Sequence, residues 1–178
     1  MSFLEKIDQQ ATDRGLRFLV IGGLAINSYG YSRDTSDLDL FVSQNDRTEW
    51  AKILTDFGYR IFHDGGNFVQ YETPEKNAWP VDLMLVQEET FVRMFAAATS
   101  ADLFGVKTKV PSLKHLIALK LHALKNTRAQ RFLKDFLDVE NLIRINQLDI
   151  KSKTIRDLFE KYGTPDLYEK ISRALGQG

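Results

Sequence analysis

Asp37-Leu38-Asp39-Leu40-Phe41-Val42 carries two carboxylates into an apolar run of this 178-residue chain. An earlier apolar run, Phe18-Leu19-Val20-Ile21, ends in Gly22-Gly23. Because side chains two residues apart on a β-strand point to the same face, Asp37 and Asp39 are expected to project together. Two acids on one face of a largely buried strand repel each other and are costly to desolvate. A fold tolerates that arrangement readily when a divalent cation lies between the two carboxylates, so the pattern favours a metal site.

A third acid lies in a further apolar run. Asp82 is embedded in Trp79-Pro80-Val81-Asp82-Leu83-Met84-Leu85-Val86, whose apolar residues suit a central strand. Taken alone, such an acid is more often a strand-end or capping residue than a ligand. Together with Asp37 and Asp39 it completes three carboxylates on two apolar strands. Carboxylates suit Mg²⁺ or Mn²⁺, and two such ions about 3.5–4 Å apart can clamp the attacking and leaving oxygens of a phosphoryl transfer.

Bulk composition indicates a globular protein of one domain, or of a core with a small helical addition. Hydrophobic residues make up 43% of the chain and charged residues 27%, and there is no cysteine. The lack of cysteine excludes disulfides, thiolate metal ligands and a cysteine nucleophile. Neither a membrane-length apolar run nor a secretory signal is evident, so we predict a cytoplasmic protein with no membrane partner.

The zero net charge hides an uneven distribution. Residues 1–105 hold 9 Lys and Arg against 16 Asp and Glu, whereas residues 106–144 hold 9 against 3. An acidic half that could hold metal thus precedes a basic segment that could meet phosphates. The alternative interpretation is that the basic segment is the solvated face of two helices.

Hydrophobic periodicity divides the chain into a mixed part and a helical part. Helices are predicted at 2–14, 24–29, 46–57, 88–98, 113–126, 129–146, 151–162 and 165–175. Strands are predicted at 17–21, 38–43, 59–63, 67–73, 81–86 and 103–110. The chain is therefore predicted to be α/β (α+β), with strands and helices mixed in a core of residues 1–110 and helices alone after it. A C-terminal helical bundle, residues 111–178, is expected to pack on that core.

The order of these motifs resembles the nucleotidyltransferase superfamily with the polymerase β-like fold. Ile21-Gly22-Gly23, thirteen residues and Asp37-Leu38-Asp39-Leu40 match its signature. Arg33-x-Thr35-x-Asp37-Leu38-Asp39-Leu40 is most similar to the branch of AbiEii/AbiGii-type toxins and related small bacterial nucleotidyltransferases. A helix with Lys120 and a later Lys134-Asp135-Phe136-Leu137-Asp138 also resemble that branch.

The resemblance implies a mixed, mostly antiparallel sheet with flanking helices for the core. It also implies a role for each matching residue. Gly22 and Gly23 would let the backbone approach a triphosphate, and Arg33 and Thr35 would touch phosphate oxygens. Catalytic and metal-binding roles fall to three acids: Asp37, Asp39 and Asp82. The last of these would act as metal ligand or as base for the incoming hydroxyl.

The later part of the resemblance concerns the helical region. Lys120 would neutralise triphosphate charge, and Asp135 or Asp138 would orient it or close the site. Lys120 could instead extend its ammonium to solvent from an apolar helix. The two acids could instead lie on the helix surface, paired with Arg131 or Lys134.

The function implied is metal-dependent transfer of a nucleoside monophosphate from an NTP to a hydroxyl. The cofactor would be Mg²⁺ or Mn²⁺. The first candidate acceptor is tRNA, as for a toxin with an antitoxin partner, and a protein is a further acceptor that the resemblance implies. A small aminoglycoside-like molecule is the second candidate. A non-catalytic nucleotide-binding module of the same fold is the alternative from a different class.

Overall fold

The structure is a computed structural model that describes residues 2–75, 78–126 and 129–176. Its helices are α1 (Phe3–Asp13), α2 (Gly22–Ser28), α3 (Arg47–Asp56), α4 (Glu88–Ala96), α5 (Leu113–Asn126), α6 (Ala129–Ile145), α7 (Lys153–Tyr162) and α8 (Pro165–Ala174). Its strands are β1 (Leu19–Val20), β2 (Leu38–Ser43), β3 (Arg60–Asp64), β4 (Phe68–Glu72), β5 (Val81–Val86), β6 (Thr99–Leu103) and β7 (Val106–Val110).

The chain forms two compact units. The first comprises the residues up to Ser28 together with Arg33–Pro111, and it contains β1 to β7. The second comprises Tyr29–Ser32 and the residues from Ser112 onward, with α5 to α8. The predicted packing of the helical region on the core stays a prediction.

The first unit is built on a five-stranded sheet in the order β1-β2-β5-β4-β3. β2 and β5 run parallel, and the other three neighbouring pairs are antiparallel. The prediction of a mixed, mostly antiparallel sheet with flanking helices is therefore confirmed. The parallel pair lies in the interior of the sheet, where its apolar residues are covered on both faces.

Burial explains why β2 and β5 occupy the centre. Leu38, Leu40 and Val42 are almost completely buried on one face of β2. On the other face Phe41 is 1% exposed and stacks on Phe91 of α4, with ring centroids 6.2 Å apart. A strand with buried side chains on both faces cannot be an edge strand without exposing some of them.

Residues 99–110 differ from the prediction. The sequence pattern predicts one strand over 103–110, whereas the structure has an antiparallel hairpin of β6 and β7. The chain reverses at Phe104 and Gly105, whose φ angles are 56° and 81°. Phenylalanine seldom adopts a positive φ, and Phe-Gly is not a usual turn sequence, so the pattern did not reveal the turn.

The second unit contains four of the predicted helices, with ends that agree to within two residues. α7 begins at the cap Ser152, whose hydroxyl accepts a hydrogen bond from the backbone of Ile155. α8 begins at the cap Thr164 with Pro165 as its first residue, an arrangement suited to a helix start. No helix in the described ranges has both the length and the apolar character needed to cross a membrane.

Candidate metal site

The sheet brings the three predicted acids together. In the parallel pairing of β2 with β5, Asp39 lies directly opposite Asp82. Asp37 immediately precedes β2, two residues before Asp39. Each of the three offers a carboxylate oxygen, and these oxygens all lie within 4.8 Å of one another. Asp82 is only 7% exposed, whereas the other two are half-buried.

The donor set fits a hard divalent cation. Its ligands are oxygens alone, and their negative charges converge on one point, where a cation relieves their repulsion. Mg²⁺ and Mn²⁺ accept a few carboxylates and complete their shells with water or phosphate oxygens. The half-buried positions of Asp37 and Asp39 leave that side of the cluster open for such ligands.

Gly22 makes room for one of these acids. Its φ is +62°, in the left-handed region that favours glycine. A Cβ atom at this position would lie 1.8 Å from Oδ2 of Asp39 and 2.6 Å from its carboxyl carbon. The close approach that requires a glycine here is therefore between the backbone and the Asp39 carboxylate. Approach of a triphosphate to the same backbone stays a prediction.

Gly23 packs against the predicted phosphate-contacting pair. A Cβ atom there would lie 2.5 Å from Oγ1 of Thr35 and 3.1 Å from Nη1 of Arg33. The Thr35 hydroxyl donates a hydrogen bond of 2.7 Å to Oδ1 of Asp37. Thr35 thus orients an acid of the cluster, a role that the sequence did not indicate.

Arg33 is placed through its backbone. Its N–H donates to Oδ1 of Asn27, and its carbonyl accepts from Nδ2 of the same asparagine, both at 3.1 Å. The guanidinium Nη1 donates to the carbonyl of Asp34 at 3.0 Å. Asn27 lies in α2, so this helix fixes the segment that leads into β2. Contact between Arg33 and a phosphate stays a prediction.

Gln70 is a residue of this site that sequence reasoning missed. It lies on β4 directly opposite Asp82 in the antiparallel pairing with β5. Its Nε2 donates to the two carboxylate oxygens of Asp82, at 3.2 and 3.5 Å. The only signal for this contact is the register between two strands, which one sequence does not supply.

Lys120, Asp135 and Asp138 come together within the second unit. Nζ of Lys120 lies 2.8 Å from Oδ1 of Asp135 and 2.8 Å from Oδ2 of Asp138. The exposed fractions are 9% for the lysine and 3% and 0% for the acids. The alternative of surface acids paired with Arg131 or Lys134 is therefore wrong, and so is that of a solvent-directed lysine. A nucleotide-binding role for the three stays a prediction.

A family model described as an uncharacterised nucleotidyltransferase matches residues 3–172 of the chain. No curated protein matches the chain. The matched range includes both the metal-site residues and the buried cluster of α5 and α6.

Solved structures resemble the fold over most of the chain. The antibiotic-resistance factor ANT(2'')-Ia is 16% identical, with a TM-score of 0.58 over 97% of this chain and 89% of its own. The lincosamide antibiotic adenylyltransferase LnuA, with lincomycin bound, is 16% identical, with a TM-score of 0.58 over 80% and 95%. An antigenic nucleotidyltransferase-like protein from Paracoccidioides brasiliensis is 16% identical, with a TM-score of 0.55 over 93% and 88%.

Gly22→Ala tests whether the missing side chain at this position is needed to accommodate the Asp39 carboxylate. The new Cβ collides with Asp39, so we expect the affinity for Mn²⁺ to fall by roughly 10–100-fold, the usual result of disturbing a ligand's support. Gly15→Ala is the matched control because Gly15 has a similar φ of +66° and nothing within 4 Å of its Cβ position. It is expected to lose about 1–2 kcal/mol of stability from the left-handed backbone and to keep Mn²⁺ binding. Equal Mn²⁺ affinities in the two variants would contradict this account.

Lys120→Met tests the buried cluster. It leaves two acids buried beside each other without their cation, so the free energy of unfolding should fall by about 3–5 kcal/mol. Urea denaturation followed by circular dichroism measures this loss. Lys153→Met is the control: it removes an exposed ion pair with Asp157 and should leave the free energy of unfolding nearly unchanged. In a protein that also carries Asp135→Asn and Asp138→Asn, Lys120→Met should lower the free energy of unfolding much less, because no buried charge is then left without its partner. An undiminished penalty there would contradict the ion-pair explanation.

Proposed function

Since the chain belongs to the nucleotidyltransferase family, we propose that it transfers a nucleoside monophosphate from an NTP to a hydroxyl acceptor in a metal-dependent reaction. The observation that carries the proposal is the convergence of Asp37, Asp39 and Asp82, with oxygens within 4.8 Å of one another. Such a cluster suits a reaction whose catalysis consists of positioning and charge neutralisation.

Asp37 and Asp39 would hold Mg²⁺ or Mn²⁺, with Asp82 as a shared ligand. When bound, the ion supplies charge neutralisation of the triphosphate and a lower pKa of a coordinated hydroxyl. Two contacts support this use. Gly22, at the start of α2, leaves space for the Asp39 carboxylate, and the Thr35 hydroxyl donates a hydrogen bond to Asp37. The identity of the ion is part of the proposal.

The reaction exchanges one phosphorus–oxygen bond for another. The acceptor oxygen forms a bond to the α-phosphorus, and the bond between that phosphorus and the bridging oxygen to the β-phosphate breaks. Pyrophosphate leaves with the electron pair. The proton of the acceptor hydroxyl passes to Asp82 in its role as base, or to solvent where Asp82 serves as a ligand only. Arg33 would offset charge on the triphosphate from its place beside Gly23.

Lys120, Asp135 and Asp138 enter the proposal with a condition. The lysine ammonium already lies 2.8 Å from an oxygen of each acid within its own unit. Contact between this lysine and a triphosphate would therefore have to use the remaining N–H of its ammonium, which has three donors. Their present pairing supports a structural role at least as well as the nucleotide-binding role that the family resemblance implies.

A small molecule with a free hydroxyl is the acceptor that we favour. ANT(2'')-Ia has been solved with adenylyl-2''-tobramycin, and LnuA with lincomycin. These structures resemble the chain over 80% or more of its length, although identity is only 16–17%. Their small-molecule acceptors support a compound of that size for this chain as well.

A tRNA acceptor is the second candidate, and one observation favours it. Residues 106–144 carry a surplus of basic residues, and several of the described ones are exposed. They are Lys107, Lys109, Lys114, Lys125, Arg131 and Lys134. Exposed cations of this kind could contact a phosphate backbone. With the motif resemblance to AbiEii/AbiGii-type toxins, this candidate implies a toxin role and an antitoxin partner.

A non-catalytic module of the same fold is a weaker candidate. Such a module has no need to keep three like charges close together, because their repulsion lowers stability. The chain also supports the acids individually: Gly22 leaves space for the Asp39 carboxylate, and Thr35 donates a hydrogen bond to Asp37. These features favour an active enzyme.

Asp39→Asn tests the catalytic proposal. Removal of one ligand charge should lower NMP transfer by on the order of a thousandfold, equivalent to about 4 kcal/mol of transition-state stabilisation. The circular dichroism spectrum should stay that of the folded protein. Asp34→Asn is the control, since Asp34 is a nearby exposed acid, and it should keep normal turnover. Normal turnover in Asp39→Asn would remove the cluster from the mechanism.

Isotopically labelled NTPs identify the acceptor class. The protein is incubated with α-labelled NTP and Mg²⁺, together with aminoglycosides and lincosamides, total RNA or whole-cell protein in separate reactions. We expect label in a small molecule. Label in RNA supports the tRNA candidate instead, label in protein overturns both acceptors, and release of no pyrophosphate in any reaction supports the non-catalytic module.

A further inference from the structure

A row of three polar residues crosses the centre of the sheet. Asp39 on β2 lies opposite Asp82 on β5, and Asp82 lies opposite Gln70 on β4. Residues opposite one another on neighbouring strands project to the same face. Asp82 therefore has a carboxylate on one side and a carboxamide on the other.

The two neighbours act on Asp82 in opposite directions. The Asp39 carboxylate repels it, whereas Nε2 of Gln70 donates to its oxygens at 3.2 and 3.5 Å. A carboxylate that is 7% exposed has little water to fix its orientation. The amide supplies that orientation, and it does so from the side of the carboxylate away from β2.

The chemical nature of the donor matters as much as its position. A lysine or arginine on β4 would form an ion pair with Asp82 and cancel one of the negative charges that attract a cation. A carboxamide donates a hydrogen bond and carries no net charge. Glutamine thus restrains Asp82 and leaves the charge of the three acids unchanged.

We infer that Gln70 is a positioning residue of the metal site, whose amide holds the Asp82 carboxylate in the orientation that lets it share a divalent cation with Asp37 and Asp39. The inference rests on the proposed metal-dependent function. It assigns Gln70 no contact with substrate. Hydrogen-bonded partners of metal-ligating carboxylates generally matter in this way, because the ligand must be preoriented.

Mn²⁺ binding by itself tests the inference without any turnover. Free Mn²⁺ is measured by electron paramagnetic resonance while Mn²⁺ is titrated into the 178-residue protein. Gln70→Leu keeps the size of the side chain and removes the donor, so we expect Mn²⁺ to bind roughly 10–100-fold more weakly. Gln87→Leu is the matched control, the same change at an exposed position just before α4, and it should bind Mn²⁺ normally.

A double-mutant cycle with Asp82→Asn shows whether Gln70 acts through Asp82. Once Asp82 is replaced, the loss caused by Gln70→Leu should shrink to less than about twofold, because contacting residues are coupled whereas independent ones are additive. An equally large loss in the Asp82→Asn background would overturn the proposed route.

Gln70→Lys separates positioning from mere support of the sheet. The lysine should pair with Asp82, so thermal stability should stay at or above that of the wild type while Mn²⁺ affinity falls further than in Gln70→Leu. If Gln70 only supported the sheet, the Mn²⁺ affinity of the wild type, Gln70→Leu and Gln70→Lys would rise and fall with their melting temperatures. That result would overturn the inference.

These measurements distinguish failure of the Gln70 inference from failure of the proposed metal-dependent function. Wild-type protein that binds no Mn²⁺, or that binds it equally well after Asp39→Asn, contradicts the proposed metal-dependent function. Wild-type binding that falls with Asp39→Asn and with Asp82→Asn but stays normal in Gln70→Leu contradicts the inference alone.

Discussion

The repulsion between neighbouring carboxylates is the constraint on which the first unit depends. Two unit charges 4–5 Å apart repel by about 3–4 kcal/mol where the effective dielectric constant is near 20. Parallel pairing of β2 with β5 nevertheless places Asp39 directly opposite Asp82 in the interior of the sheet. The rest of the unit offsets that cost through donors, since Thr35 holds Asp37 and Gln70 holds Asp82. A bound cation turns the same repulsion into coordination.

The glycine turn belongs to the same arrangement. Gly22 begins α2 with a left-handed φ, and the space where its side chain would lie is filled by the Asp39 carboxylate. Gly23 likewise leaves space for Thr35 and Arg33. The two glycines thus allow the α2 backbone to approach the acids closely. This places the start of α2 and the three acids in one small region, which is where we propose that the triphosphate binds.

The features that could be predicted from the sequence are those that depend on the spacing of nearby residues. The i, i+2 rule put Asp37 and Asp39 on one face, and apolar runs located the central strands. The apolar run around Asp82 made it the third candidate acid, but its position opposite Asp39 came only from the structure, because no local rule gives the register between strands some 40 residues apart. Gln70 was missed for the same reason. The hairpin at residues 99–110 was missed because a phenylalanine occupies the first of its two positive-φ positions, which the usual turn sequences do not include.

Diffraction at the manganese edge tests the central claim most directly. Crystals of the wild-type protein grown with Mn²⁺ and a non-hydrolysable NTP analogue would be measured for anomalous scattering. The account predicts an anomalous peak within coordination distance of the Asp37 and Asp39 carboxylates, with Asp82 facing the same peak. Manganese bound to the triphosphate away from all three acids, or no manganese in the sheet region at all, would contradict it.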